Sequence, residues 1–177
     1  MTTPPTTNEL IENSDENPLN GVRLVFVGVG VMAESMIAGL LKRQLVAPAQ
    51  VSGSHPREAR RAELEASYGM RVVESNREAV AHEAAGGAAG GRVSGAIVIL
   101  AVKPQKLNGV LHELKDALRP DDLVLSIVAG ARIETIAGEL LHPAIVRATP
   151  NTPAQVGEGM TVWTATGQVD DARRRQV

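Results

Sequence analysis

From Val22 to about Ala165 the chain alternates between short, mostly apolar runs and longer stretches with apolar residues at helical spacing. The runs are "VRLVFV" (22–27), "QVSGS" (50–54), "MRVV" (70–73), "AIVILAV" (96–102), "DLVLSIV" (122–128) and "AIVRAT" (144–149). Between them lies a helical stripe of Met32, Met36, Ile37, Leu40 and Leu41, within Val31 to Lys42. "PREARRAELEASYG", "NREAVAHEA" with Asn76 as its predicted N-cap, a helix from Pro104 to about Leu118, and "IETIAGELL" follow in turn. Strands that are apolar at successive positions are buried on both faces, and strands separated by helices pair in parallel. The predicted fold class is therefore α/β, a doubly wound, mainly parallel sheet with helices on both faces. "GMTVWTA" (159–165) adds a last strand, so the domain spans 21–166. Residues 1–20 read as a disordered tail, rich in Thr, Pro, Asn and acidic groups. "AAGGAAGGRVSG" (84–95) reads as a flexible Gly/Ala insertion, and 167–177 as the start of a linking helix.

Composition removes several functions. Only 2% of the 177 residues are aromatic, so the core must be aliphatic and there is no stacking platform for single-stranded nucleic acid. A net charge of −2 gives no basic field for phosphate backbones. The run Arg173 to Arg175 reads as a solvated helix face. There is no cysteine, which excludes disulfides, thiolate metal sites and cysteine nucleophiles and suits a reducing cytoplasm. His55, His82, His112 and His142 sit on different elements without metal-ligand spacing. No run approaches the ~20 apolar residues of a membrane span, and the N-terminus lacks the pattern of a signal peptide. The expectation is a cytoplasmic protein with a small-molecule ligand and no metal, membrane or nucleic-acid partner.

The first strand runs into "VFVGVGVMA", a G-x-G-x-x-A spacing that passes directly into a helix. Gly28 permits the sharp turn, Gly30 keeps backbone bare for a pyrophosphate, and Ala33 lets helix and strand pack closely. The helix N-terminus offers N–H groups to the anion. A tight turn without a ligand has the same spacing; what favours a dinucleotide is its place in the first β-α unit. An NAD site usually carries a carboxylate at the end of the second strand. Here that strand ends "VSGSHPREARR", with no carboxylate from Val51 to Arg57. Ser54, His55 and Arg57 cluster there, with Arg60 and Arg61 beyond, which suits the 2′-phosphate of NADP(H). Arg61 reads as a solvated residue of the following helix.

Several segments, in order, resemble the N-terminal domain of pyrroline-5-carboxylate reductase. They are "FVGVGVMAESMIAGLL", "SHP", Asn76, "LAVKPQ", "LSIVAG" and "VRATPNTPAQVGEGMT". The resemblance implies an NADP-dependent oxidoreductase that reduces 1-pyrroline-5-carboxylate to L-proline, in proline biosynthesis. It implies that Val27, Gly28, Val29, Gly30, Val31 and Met32 form the phosphate-binding turn and that Ser54, His55 and Arg57 surround the 2′-phosphate. Asn76 would hold the adenosine ribose. Ala101, Val102, Lys103 and Pro104 would line the cofactor, and Ile127, Val128, Ala129 and Gly130 would flank the nicotinamide. Asn151 and Thr152 would sit beside nicotinamide and substrate. Family members continue into a helical domain that dimerises and completes the substrate site, whereas this chain stops at "VDDARRRQV". Poor turnover or none by the chain alone, and a monomer, are the expectations. Two other functions stay open: a non-catalytic dinucleotide-binding module, and a β-hydroxyacid dehydrogenase-type reductase, against which "PNTPA" argues.

Overall fold

The computed structural model describes residues 17–81, 95–150 and 161–177. Strands β1 (Leu24–Val27), β2 (Val51–Ser54), β3 (Arg71–Val73), β4 (Ile97–Leu100), β5 (Leu123–Ser126), β6 (Ile145–Pro150) and β7 (Thr161–Ala165) form one sheet in the order β3-β2-β1-β4-β5-β6-β7. The first six are parallel, and β7 closes the edge antiparallel to β6. The order reverses between β1 and β4, which makes their carboxyl ends the crevice where ligands of open α/β sheets bind. The predicted fold class holds.

The described residues form the α-helices α1 (Val31–Lys42), α2 (Glu58–Tyr68), α3 (Asn76–Ala81), α4 (Leu107–Leu114) and α5 (Ile133–Leu140), which pack on the sheet, and the short α6 (Asp171–Arg175), which buries no residue. Successive strand residues feed opposite faces. Leu24, Phe26, Ile97 and Ile99 pack with Ile37 of α1 and Leu64 of α2. Val25, Val27, Val98 and Leu100 pack with Val80 of α3, Leu111 of α4 and Ile136 of α5. Every residue of β1, β2, β4 and β5 is buried, and each such Val, Leu or Ile contributes ~1.5–3 kcal/mol of apolar burial.

Expectations change in detail at several places. Ser75, not Asn76, caps α3, its hydroxyl accepting the Glu78 N–H at 3.2 Å. Residues 17–20 are not loose tail: Leu19 is buried in the core and Asn17 Nδ2 donates to the Leu45 carbonyl at 2.6 Å. Gly95, taken as the end of the flexible insertion, is fixed, since a Cβ there would lie 2.0 Å from the Asp121 carbonyl oxygen. The arginine run is not merely solvated, because Arg173 donates to the Gly95 and Asp121 carbonyls and Arg174 Nε to the Val169 carbonyl. Residues 1–16, the remainder of the Gly/Ala segment (84–94) and His82 lie outside the described residues. Among the described residues no helix is long and apolar enough to cross a membrane, and no group of three or more His, Cys, Asp or Glu could hold a metal ion.

Candidate cofactor site

Two glycines of the β1–α1 turn do different work. Gly28 has φ +86°, and a Cβ there would fall 2.6 Å from Val102 Cγ1, so the fold itself requires it. Gly30 has φ −89°, and a Cβ there would meet nothing within 4 Å. Among the described residues nothing asks for a glycine at 30, and none of them fills the space beside it. Gly30 is also the N-cap of α1 and supplies no side-chain acceptor to the first-turn N–H groups of Val31, Met32 and Ala33. Val27 and Ala33 are buried beneath the turn, whereas Val31 is 69% exposed at its rim. Val29 N–H donates to the Ser54 carbonyl at 2.9 Å, tying the turn to the end of β2.

At that end the predicted cluster separates into distinct roles. The Ser54 hydroxyl is buried, accepting the Gly28 N–H at 3.0 Å and donating to Asn76 Oδ1 at 2.6 Å. His55 Nδ1 accepts the Arg57 N–H at 3.1 Å, which leaves the ring proton of the neutral imidazole on Nε2. Burial lowers the His55 pKa, and the positive charges of Arg57, Arg60 and Arg61 lower it further. Arg57 is exposed at the N-cap of α2, and its guanidinium has no partner among the described residues. Arg60 is committed elsewhere: it pairs with Glu34 of α1 and, at 2.7 Å, with Glu63. Glu34 also accepts from Tyr68 Oη at 3.1 Å, and burial together with this bond raises the phenol pKa. The Arg60 charge thus offsets a carboxylate in the first turn of α1 that would otherwise repel an anion. Arg61 is not a solvated residue either; Nη1 donates to the His55 and Pro56 carbonyls at 3.0 and 3.1 Å, bracing the turn.

Ala101, Val102, Lys103 and Pro104 follow β4, and Ala101 N–H continues the ladder to the Val27 carbonyl at 3.0 Å. Pro104 opens a 3-10 turn that leads into α4. Ile127 N–H bonds the Leu100 carbonyl at 3.1 Å, Val128 is buried, and Ala129 and Gly130 are exposed, Gly130 with φ +74°. Here the starts of α4 and α5 enclose a cleft of about 540 Å³ lined by Pro104, Asn108, Ala129, Gly130, Arg132 and Thr135, among others. Asn108, Arg132 and Thr135 had no sequence signal, since only the fold brings them together. Asn151 and Thr152 lie outside the described residues.

Comparison with known proteins follows the same outline. The family model described as "NADP oxidoreductase coenzyme F420-dependent" matches residues 23–130. The pyrroline-5-carboxylate reductase of Pseudomonas aeruginosa is 37% identical over 155 residues, 87% of this chain and 52% of that protein. That of Synechocystis is 40% identical over 150 residues, 84% of this chain and 51% of that protein. The solved pyrroline-5-carboxylate reductase of Coxiella burnetii superposes with a TM-score of 0.76 at 28% identity, over 89% of this chain and 54% of that one. The chain spans about half the length of the curated relatives it matches.

Proposed function

The chain belongs to the "NADP oxidoreductase coenzyme F420-dependent" family, and on that premise we propose that it is the NADP(H)-binding part of a pyrroline-5-carboxylate reductase-type oxidoreductase. The observation that carries the proposal is Gly30, whose Cβ direction is open although its φ does not demand glycine. The pyrophosphate is held by the first-turn N–H groups of α1 beside that bare backbone. Arg57 and His55 receive the 2′-phosphate, the guanidinium by charge-assisted bonds and the imidazole through Nε2–H. Ser54 acts from beneath, holding the turn rather than touching the phosphate. Asn76 takes the adenosine ribose. Ala101 to Pro104 and Ile127 to Gly130 line the nicotinamide end.

Bound there, NADPH would supply the hydride that adds to the carbon of the cyclic C=N bond of 1-pyrroline-5-carboxylate, with a proton from water completing the ring nitrogen to give proline. The protein's part is to orient the reacting atoms and exclude water. Asn151 and Thr152 are the substrate-side residues of this reading. The absence of cysteine suits a reducing cytoplasm, where we place the protein. Calorimetric titration with NADPH and NADH tests the reading. NADPH should bind more tightly; equal affinities would remove the assignment of the β2 end to the 2′-phosphate, and absence of binding to either would remove the cofactor site.

A further inference from the structure

We infer that Glu113 of α4 is a positioning residue for the adenosine half of the cofactor site, acting through the side-chain amide of Asn76. The inference rests on the cofactor reading above. Glu113 lies 37 residues from Asn76 in sequence, and its Oε2 accepts from Asn76 Nδ2 at 2.8 Å. Its other oxygen, Oε1, accepts the Arg77 N–H at 3.3 Å at the start of α3. Arg77 Nη1 returns to the Glu113 carbonyl at 3.4 Å, so helices α3 and α4 are tied at one point by both main chain and side chain.

The direction of this network has one origin. A carboxylate can only accept, so Asn76 must turn its NH2 group to Glu113. Its Oδ1 then faces Ser54, where it accepts the hydroxyl proton at 2.6 Å. With that proton engaged, Ser54 Oγ presents a lone pair to the Gly28 N–H at 3.0 Å. One carboxylate thus fixes a chain of donors that ends at the first glycine of the phosphate-binding turn. It crosses from one helix layer, between β2 and β1, to the switch point of the sheet. Without Glu113 the Asn76 amide is free to invert, and an inverted amide offers the ribose hydroxyls and Ser54 the wrong groups. Hydrogen bonds to a charged acceptor are about twice as strong as neutral ones, and such chains polarise one another.

The test uses the full chain and adenosine 2′,5′-bisphosphate, which probes the adenosine end alone, titrated by calorimetry. Glu113→Ala should weaken its binding about tenfold, the scale for a charge-assisted contact. Glu113→Gln keeps shape and one acceptor and should restore most of the loss. In an Asn76→Ala background, Glu113→Ala should add less than about a twofold loss, since coupled residues are not additive. Equal affinity in Glu113→Ala, or the same tenfold loss in both backgrounds, overturns the inference. The side-chain amide resonances of Asn76, identified by their disappearance in Asn76→Ala, give a readout that needs no ligand. They should move in the isosteric Glu113→Gln, and unchanged resonances overturn the anchor. If the unaltered chain binds no adenosine 2′,5′-bisphosphate, the cofactor reading falls, and the amide resonances still decide the link from Glu113 to Asn76.

Discussion

Arg57 and Arg60 stand three residues apart, and their partners divide their roles. Arg60 is spent on Glu34 and Glu63, whereas Arg57 faces solvent at the head of α2. Arg57→Ala should therefore reduce the preference for NADPH over NADH by about 1–3 kcal/mol in calorimetry, the scale of a charge-assisted contact. An unchanged preference would move the 2′-phosphate elsewhere. His55 carries a pH signature of its own. Its folded pKa is lowered, so between that value and 6.5 the unfolded chain binds more protons than the folded one. The His55 contribution to stability is thus complete above 6.5 and is lost as pH falls through the lowered value. Urea midpoints should fall across that window and should fall less in His55→Asn; parallel profiles would contradict the shift. The sequence made the two glycines legible because their spacing is local. It named Ser54 but not its buried role, which depends on Asn76 22 residues away. It missed Glu113 altogether, because no local pattern marks a residue that acts across 37 positions.

At the scale of elements, the apolar runs were legible because a parallel strand buried on both faces has to be apolar at every position. β1, β2, β4 and β5 each fall inside the predicted run. The predicted helix from Pro104 to Leu118 is shorter, with a 3-10 turn at Pro104–Lys106 and α4 ending at Leu114. The role of Gly95 was hidden by its neighbours, since a Gly/Ala-rich sequence gives no sign of which glycine is packed. Two glycine substitutions separate packing from propensity. Gly95→Ala drives a methyl group into the Asp121 backbone and should destabilise the entry to β4 by about 1–3 kcal/mol or more in urea titration. Gly109→Ala, on an exposed position of α4 with nothing within 4 Å of the new Cβ, should stabilise by about 0.5–1 kcal/mol. Equal effects would mean that the contact at Gly95 is not tight.

Across the whole molecule, the sheet gathers the β1, β2, β4 and β5 carboxyl ends around one crevice. The cofactor-side groups of the proposed site come from these ends and from α3. The relatives run to about twice this length, and hydride transfer needs the acceptor held within near-attack distance. On the proposed reading, a polypeptide of residues 1–177 alone should bind NADPH yet oxidise it slowly or not at all with saturating 1-pyrroline-5-carboxylate, well below the ~1 to 10³ per second of ordinary enzymes. A turnover number inside that range would show that these residues suffice. The central claim is that the backbone beside Gly30 is kept bare for a dinucleotide and not for the fold. The most direct measurement is NADPH titration of Gly30→Val against the unaltered chain, with circular dichroism and thermal unfolding recorded on both. A native spectrum, an unchanged melting temperature and loss of NADPH binding are predicted, because the side chain enters open space that the pyrophosphate would fill. Retained binding with a native spectrum would contradict the account and make the turn purely structural.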